Sequence, residues 1–145
     1  MAAIVIPAAS LLPLQPGGIV LKAAGLVAAD TAETGVIVDK GAFCVQMDWT
    51  ACEIGTGDEF YNVTVEAEDS AGVYTRLGVL NILGAAAVTG GEGDAPPSGS
   101  VKAGFNNPYV KSTGSKVRVK CWVNGTIATG LNYSATLFPL DVLKV

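Results

Sequence analysis

Thirteen carboxylates and three cysteines are the main stock of reactive side chains, because the chain contains no histidine. That absence removes the commonest general base, the imidazole half of Ser–His and Cys–His nucleophile pairs, and the most frequent transition-metal ligand. Among the acids, Glu53, Asp58 and Glu59 surround one turn, and Glu66, Glu68 and Asp69 close the following strand. Oxygens grouped in this way can hold calcium, and two facing acids are the machinery of many glycosidases. The plainer reading is that these acids lie in turns or alternate along an outward strand face, where solvated carboxylates are ordinary. Cys44, Cys52 and Cys121 form no Cys-x-x-Cys pair, so a zinc site is not expected. Three cysteines without motif spacing are no disulfide framework, and a reducing compartment is the simpler setting. Cys44 and Cys121 sit in strand-like runs, where they read as small buried apolar residues. Neither Gly55-Thr56-Gly57 nor Gly90-Gly91-Glu92-Gly93 runs into Gly-Lys-Ser/Thr, so neither is a phosphate-binding loop. The expectation is a protein without cofactor, metal or catalytic set.

The aromatic residues Trp49, Tyr61, Tyr74, Tyr109, Trp122 and Tyr133 could include a sugar platform, but at 7% aromatic content most are needed for a core. Trp122 stands out. In Lys116–Val123, Val117, Val119, Cys121 and Val123 fall on one face of a strand, and Lys116, Arg118, Lys120 and Trp122 on the other. An outward tryptophan beside basic residues fits an interface anchor. The alternatives are that a bulge turns it inward or that a second layer covers that face. As a solvated face the basic row needs no explanation; opposite an acidic neighbour it becomes half of an interface. The net charge of −4 argues against nonspecific nucleic-acid binding.

These side chains need strands to position them. The Lys116–Val123 strand runs into Asn124-Gly125, a favoured type I′ hairpin pair, so a hairpin returning through Thr126–Phe138 is expected. Its candidate inward residues are Ile127, Leu131, Tyr133, Ala135 and Leu137. Phe43–Thr50 alternates with Phe43, Val45, Met47 and Trp49 on one face, as a core strand would. Phe60–Glu68 points Tyr61, Val63, Val65 and Ala67 inward and Asn62, Thr64, Glu66 and Glu68 outward. Asp69-Ser70-Ala71-Gly72 has the residues of a tight reversal, and Val73–Leu83 returns with Val73, Leu77, Val79 and Leu83 expected to be buried. Val36–Val38 is a further short β-branched run. Gly84–Pro108, dense in Gly, Pro and Ser at its centre, reads as one long loop.

At 145 residues the chain suits one domain with a real core. Half the residues are hydrophobic and only 15% charged, below the ~25% usual in soluble domains. So low a charge fits a surface partly covered by partners, or a small domain made polar by Ser, Thr and Asn. Residues 1–29 carry one charge, Lys22, and consist of short apolar pieces broken by Pro7, Pro13, Pro16 and Gly17-Gly18. They read as edge strands or, with a slight preference, an arm that lies on a neighbouring subunit through Ile4, Ile6, Leu11, Leu12 and Leu14. Met1–Leu14 lacks the basic start of a secretory signal, and no apolar run reaches the ~20 residues of a membrane helix. Asn-x-Ser/Thr triplets at Asn62, Asn124 and Asn132 then read as chance products of Thr-rich strands. The expected fold is all-β: an antiparallel β-sandwich spanning residues 30–145, preceded by the arm or edge strands of 1–29.

Within that fold the stretch Glu66-Ala67-Glu68-Asp69-Ser70-Ala71-Gly72, continuing into Val73-Tyr74-Thr75-Arg76-Leu77, resembles a pattern in small head proteins of tailed bacteriophages. So do the late Lys116-Val117-Arg118-Val119-Lys120 strand, the Gly turn after it and the final Thr-rich strand. The likeness is to capsid cement, or decoration, proteins with a jelly-roll-like sandwich. It covers roughly 43–138 and rests on strand order and turn chemistry, leaving out the apolar N-terminal 40 residues. It implies a non-enzymatic virion structural protein, assembled in the host cytoplasm and bound to the capsid exterior. The implied partners are the major capsid protein and further copies of itself, with no direct nucleic acid and no membrane. The implied contacts are the arm, the 84–108 loop and the Lys116–Trp122 outer face. Two other classes compete: a carbohydrate-binding or adhesin-like β-sandwich, and a tail or fibre component of a virion. A sugar binder should carry at least two exposed aromatics on one groove with Asp, Asn or Arg nearby.

Overall fold

In the computed structural model, residues 18–85, 98–111 and 113–140 are described, and among them there is no α-helix. Among the described residues nine antiparallel strands form two sheets: β1 (Ile19–Val27), β2 (Thr31–Ala32), β3 (Val36–Val38), β4 (Ala42–Cys52), β5 (Phe60–Glu68), β6 (Tyr74–Leu83), β7 (Gly99–Asn106), β8 (Ser115–Asn124) and β9 (Leu131–Pro139). The first sheet has the order β1-β9-β4-β7, and the second β2-β8-β5-β6 with β3 also on β8. The pairings nest: β1 with β9, β2 and β3 with β8, β4 with β7, and β5 with β6. The chain is therefore one long antiparallel ribbon with the β5–β6 reversal at its tip. Rolling that ribbon adds the pairings β4·β9 and β5·β8, which complete the two sheets.

The expected alternation is obeyed where both sheet faces are distinct. Phe43, Val45, Met47, Tyr61, Val63, Val65, Ala67, Val117, Val119, Cys121, Leu131, Ala135 and Leu137 are fully buried between the sheets, with Tyr133 nearly so. Each brings its apolar area out of water at about 25 cal/mol per Å², which is why the period-two pattern decides which face turns inward.

Three expectations need correction. The Asn124-Gly125 hairpin does not form. β8 lies between β5 and β2/β3 in one sheet, whereas β9 lies between β1 and β4 in the other. A type I′ turn needs positive φ at both central residues, and no described non-glycine residue has it; Gly125 alone does, at +97°. Gly125 instead opens a crossing between sheets, where a Cβ would collide with the Asp58 carbonyl. Both flanks of β8 are already paired, so the apolar faces of β8 and β9 meet across the core rather than side by side.

In β6, the partner of Val63 is Asn81 and that of Thr64 is Val79, and the partner of Val65 is Gly78 and that of Glu66 is Arg76. Leu80 and Leu77 are the extra residues of two bulges. Each bulge shifts the parity, so Leu80 and Leu83 are buried and Leu77 packs on the core, whereas Val79 is 42% exposed. Val73 is also exposed, at the reversal.

The 84–108 loop is shorter than expected at its far end, because Gly99–Asn106 is β7, paired along its whole length with β4. Val101, Ala103 and Phe105 of β7 pack on the core. Gly99 leaves the room that the Trp49 ring occupies beside it, since a Cβ there would meet that ring. The middle of the expected loop, 86–97, lies outside the described residues, as do Ile4, Ile6, Leu11, Leu12 and Leu14 of the expected arm. Residues 19–27 of that segment form the edge strand β1.

Candidate functional site

The outer face of the second sheet gathers four of the chain's eight described cations, Arg76, Lys116, Arg118 and Lys120, together with Tyr74 and Trp122. Register sets the rows: Glu66 of β5 stands between Arg118 of β8 and Arg76 of β6, Thr64 is opposite Lys120, and Asn62 is opposite Trp122. The Arg118 Nε donates to Glu66 Oε1 at 2.8 Å, its Nη2 lies at the same distance in the ion pair, and the guanidinium lies 3.8 Å from the centre of the Tyr74 ring. Glu66 is only 6% exposed, so it depends on this partner. Tyr74 reaches across the sheet until its hydroxyl fills the space a side chain at Gly35 would need.

Beside this pair, Trp122 leans over β5, its Nε1 donating to Thr64 Oγ1 at 3.0 Å, and Thr64 Oγ1 in turn donates to the Lys120 carbonyl. Thr64 is fully buried although it points outward, because the indole covers it. The Lys120 ammonium lies 3.6 Å from the ring centre and the Arg76 guanidinium 5.6 Å. Cation–ring contacts of this kind add ~0.5–1 kcal/mol where exposed. Of the residues expected to bind a partner, Arg118, Lys120 and Trp122 are thus drawn together and engaged by their own chain, while Lys116 remains exposed. Within the basic row, Arg118 has its acidic partner in the same sheet, Glu66. Arg76 was missed, and Tyr74 was named only among the possible platform aromatics; the signal available for both was the Asp69–Gly72 reversal, which lays β6 alongside the outward residues of β5.

Two grooves flank this lattice. One, of about 270 Å³, is lined by Asp30, Phe60, Asn62, Arg76, Trp122, Val123 and Asn124. The other, of about 290 Å³ at the opposite end, includes Ile37, Glu68, Asp69, Tyr109, Lys111 and Lys116. In the second groove Asp69 Oδ1 is taken by the Ala71 and Val73 N–H groups, and Ser115 donates to the Glu68 carbonyl.

No known protein family, curated protein or solved structure matches this chain. What it can do is therefore read from its geometry.

Of the acids singled out for calcium or hydrolysis, Glu53, Asp58, Glu59 and Asp69 are engaged by backbone N–H groups and threonine hydroxyls, and Glu66 by Arg118. Glu53 Oε1 accepts the N–H groups of Ala128, Thr129 and Gly130 at 2.6–2.9 Å. Asp58 accepts the Thr126 N–H and the hydroxyls of Thr56 and Thr126. Glu59, fully buried, accepts the N–H groups of Thr56 and Gly57, both at 2.8 Å. The Thr56 hydroxyl and the Thr126 donors hold the Asp58 carboxyl down at about 2, and the Gly130 and Thr129 N–H groups lower Glu53. Burial pushes Glu59 the other way, but its backbone donors prevail and it too is lowered. Among the described residues no group of three or more Asp, Glu or Cys is placed to hold a metal ion.

Cys44 and Cys121 are buried and unpaired, and burial lifts the Cys121 thiol to about 12, so neither is poised as a nucleophile. Lys22 escaped the sequence reading. A bulged β1 turns it to 7% exposure, where its Nζ donates to the carbonyls of Ala23, Gly25 and Tyr133 and lies 4.6 Å from the Tyr133 ring centre. Burial lowers its pKa.

Proposed function

We propose that the chain is a non-enzymatic structural protein of a virion, a decoration protein that binds the outside of a tailed-phage head and holds major capsid subunits together. The two antiparallel sheets of the all-β sandwich support this reading, since the sequence resemblance implies a protein of that class. Glu53, Asp58 and Glu59, the acids of the first candidate cluster, are tied to backbone N–H groups, which favours a structural role for them over a catalytic one.

The observation that carries the reading is edge strand β1. It exposes Val20 and Leu26, at 60% and 59%, and follows directly on the apolar residues 1–17. A sheet edge that no described strand pairs, carrying apolar side chains and preceded in the sequence by an apolar segment, is a surface that a neighbouring subunit would cover. Repetition over an icosahedral lattice then adds avidity, so each contact can be weak. Self-association through the same edge is part of the proposal.

The test is co-sedimentation of the full chain, and of a chain lacking residues 1–17, with assembled capsids of the encoding phage. The cut leaves β1 whole. The expected result is that the full chain pellets with shells and the shortened chain does not. Pelleting of both would keep the capsid role and move the contact to the sheet edge or faces; pelleting of neither ends the decoration reading.

A further inference from the structure

The strands at the sheet edges are guarded unequally. An open edge is a template for a further strand, and bulges, short strands and edge charges are the usual defences against pairing. β1 has register shifts between Val20 and Lys22 and between Lys22 and Gly25, and β6 has two bulges. β2 and β3 are only two and three residues long. β7 has none of these defences. It pairs with β4 through all eight residues from Gly99 to Asn106 without a shift, and no described strand pairs its other edge. Its one charge, Lys102, leans back over the sheet, its ammonium 5.2 Å from the centre of the Phe138 ring on β9, two strands in from the edge. The core is also unfinished on this side. Leu21 and Val27 of β1 and Leu80 and Leu83 of β6 are buried, whereas β7 has no buried residue. Its inward Val101, Ala103 and Phe105 stay half-buried, although Met47, Val45 and Phe43 opposite them are fully buried.

We infer that β7 is a seam at which two copies of this chain pair antiparallel about a two-fold axis, running the four-stranded sheet of one into that of the other. An axis through Ala103 keeps the inner faces of both copies on the same side and pairs 100–106 with 106–100. Val101 then meets Phe105 of the second copy, Ala103 meets Ala103, Ser100 meets Asn106 and Lys102 meets Gly104. No like charges are opposed. An axis through Lys102 would engage as many residues but set two lysines directly opposite each other, which is unfavourable. The strand is thus complementary to itself in one register, as an isologous contact requires. Main-chain hydrogen bonds along the free edge hold the seam, and the half-buried row is covered by its own counterpart. The inference does not rest on the capsid reading, because β7 and β1 are at opposite ends of the first sheet.

The experiment is sedimentation velocity on the full chain over a micromolar concentration series, with Ala103→Cys and Ser100→Cys compared under mild oxidation on non-reducing gels. A concentration-dependent dimer is expected. Ala103→Cys should give a reducible cross-linked dimer, because directly opposed residues hold their Cβ atoms ~4.5–5.5 Å apart. Ser100→Cys, opposite Asn106, should stay uncross-linked like the wild type. Ser100 and Asn106 are exposed on the outer face, so the pair can carry charge without disturbing the core. The double variant Ser100→Lys with Asn106→Lys should weaken the dimer about tenfold, and Ser100→Lys with Asn106→Glu should bind at least as tightly as the wild type. Thermal melts establish that the variants are folded. A wild-type chain that stays monomeric throughout the series overturns the inference. So does a dimer in which Ser100→Cys cross-links as readily as Ala103→Cys, or one that the two charge variants affect alike.

Discussion

The two most polar regions of the molecule treat their charges in opposite ways. At the end where 53–59 meets 125–130, carboxylates are bound by backbone N–H and threonine hydroxyl donors, and Glu53 alone secures three consecutive amides. On the outer face of the second sheet, charges are bound by side chains: Glu66 by Arg118, and the Tyr74 and Trp122 rings by Arg118, Lys120 and Arg76. Backbone donors have no freedom to leave, so the first region is closed to ligands and acts as a staple between two loops. Side-chain partners can rearrange, and an open groove flanks the second region at either end. Charge density alone therefore does not mark a site; what the charges are bound to does.

The largest effect should come from Arg118→Ala. It strands the nearly buried Glu66 carboxylate and should cost about 3 kcal/mol in chemical denaturation. Adding Glu66→Gln should recover part of that loss, and a cost below about 1 kcal/mol for the single change would show that water replaces the guanidinium. Next comes Gly130→Ala at the stapled end, where φ is +95° and a methyl would strike the Val27 carbonyl. About 2 kcal/mol is expected from equilibrium unfolding.

The staple also predicts a pH dependence. Asp58 titrates lower in the folded chain than in the unfolded one, so the folded state binds fewer protons and acid favours unfolding. Its contribution is complete above the ordinary 3.8 and disappears as pH falls toward about 2. Glu53 and Glu59, lowered from 4.5, act in the same direction. Melting curves recorded down this range should fall less steeply for Asp58→Asn than for the wild type, and equal slopes would detach the loop hydrogen bonds from stability. The smallest effects are expected for Lys116→Ala and Ile82→Thr, exposed on the second sheet; each should stay within about 0.5 kcal/mol in thermal melts. A larger loss at Lys116 would mean that the lattice extends to the second groove.

The sequence reading succeeded on the inward residues of β4, β5 and β8, because an unbroken apolar row at every second position marks the core face even where Cys44, Thr64 and Glu66 of the opposite face are buried as well. On β6 it placed the strand, Leu77 and Leu83 correctly but not Val73 and Val79, because bulges at Leu77 and Leu80 reverse the parity twice. It passed over β7, although Val101, Ala103 and Phe105 alternate correctly, because Gly99 and Gly104 resemble loop residues until Trp49 is seen to need that space. The outer-face site was half legible: the Lys116–Trp122 row was visible, but Tyr74, Arg76 and Glu66 become its partners only through cross-strand register. The buried Lys22 was not legible at all, since its carbonyl partners include one from a strand 111 residues away.

By itself, then, the sequence determined an all-β sandwich, the inward faces of its main strands and the absence of histidine chemistry. These are local properties, set by residue type and by alternation. Only the tertiary structure decided that β8 and β9 part into different sheets, which acids bind backbone and which bind arginine, and that β1 and β6 are bulged edges while β7 is a straight one. Those outcomes depend on which strands become neighbours, and pairing is a contest among distant segments that local pattern does not rank.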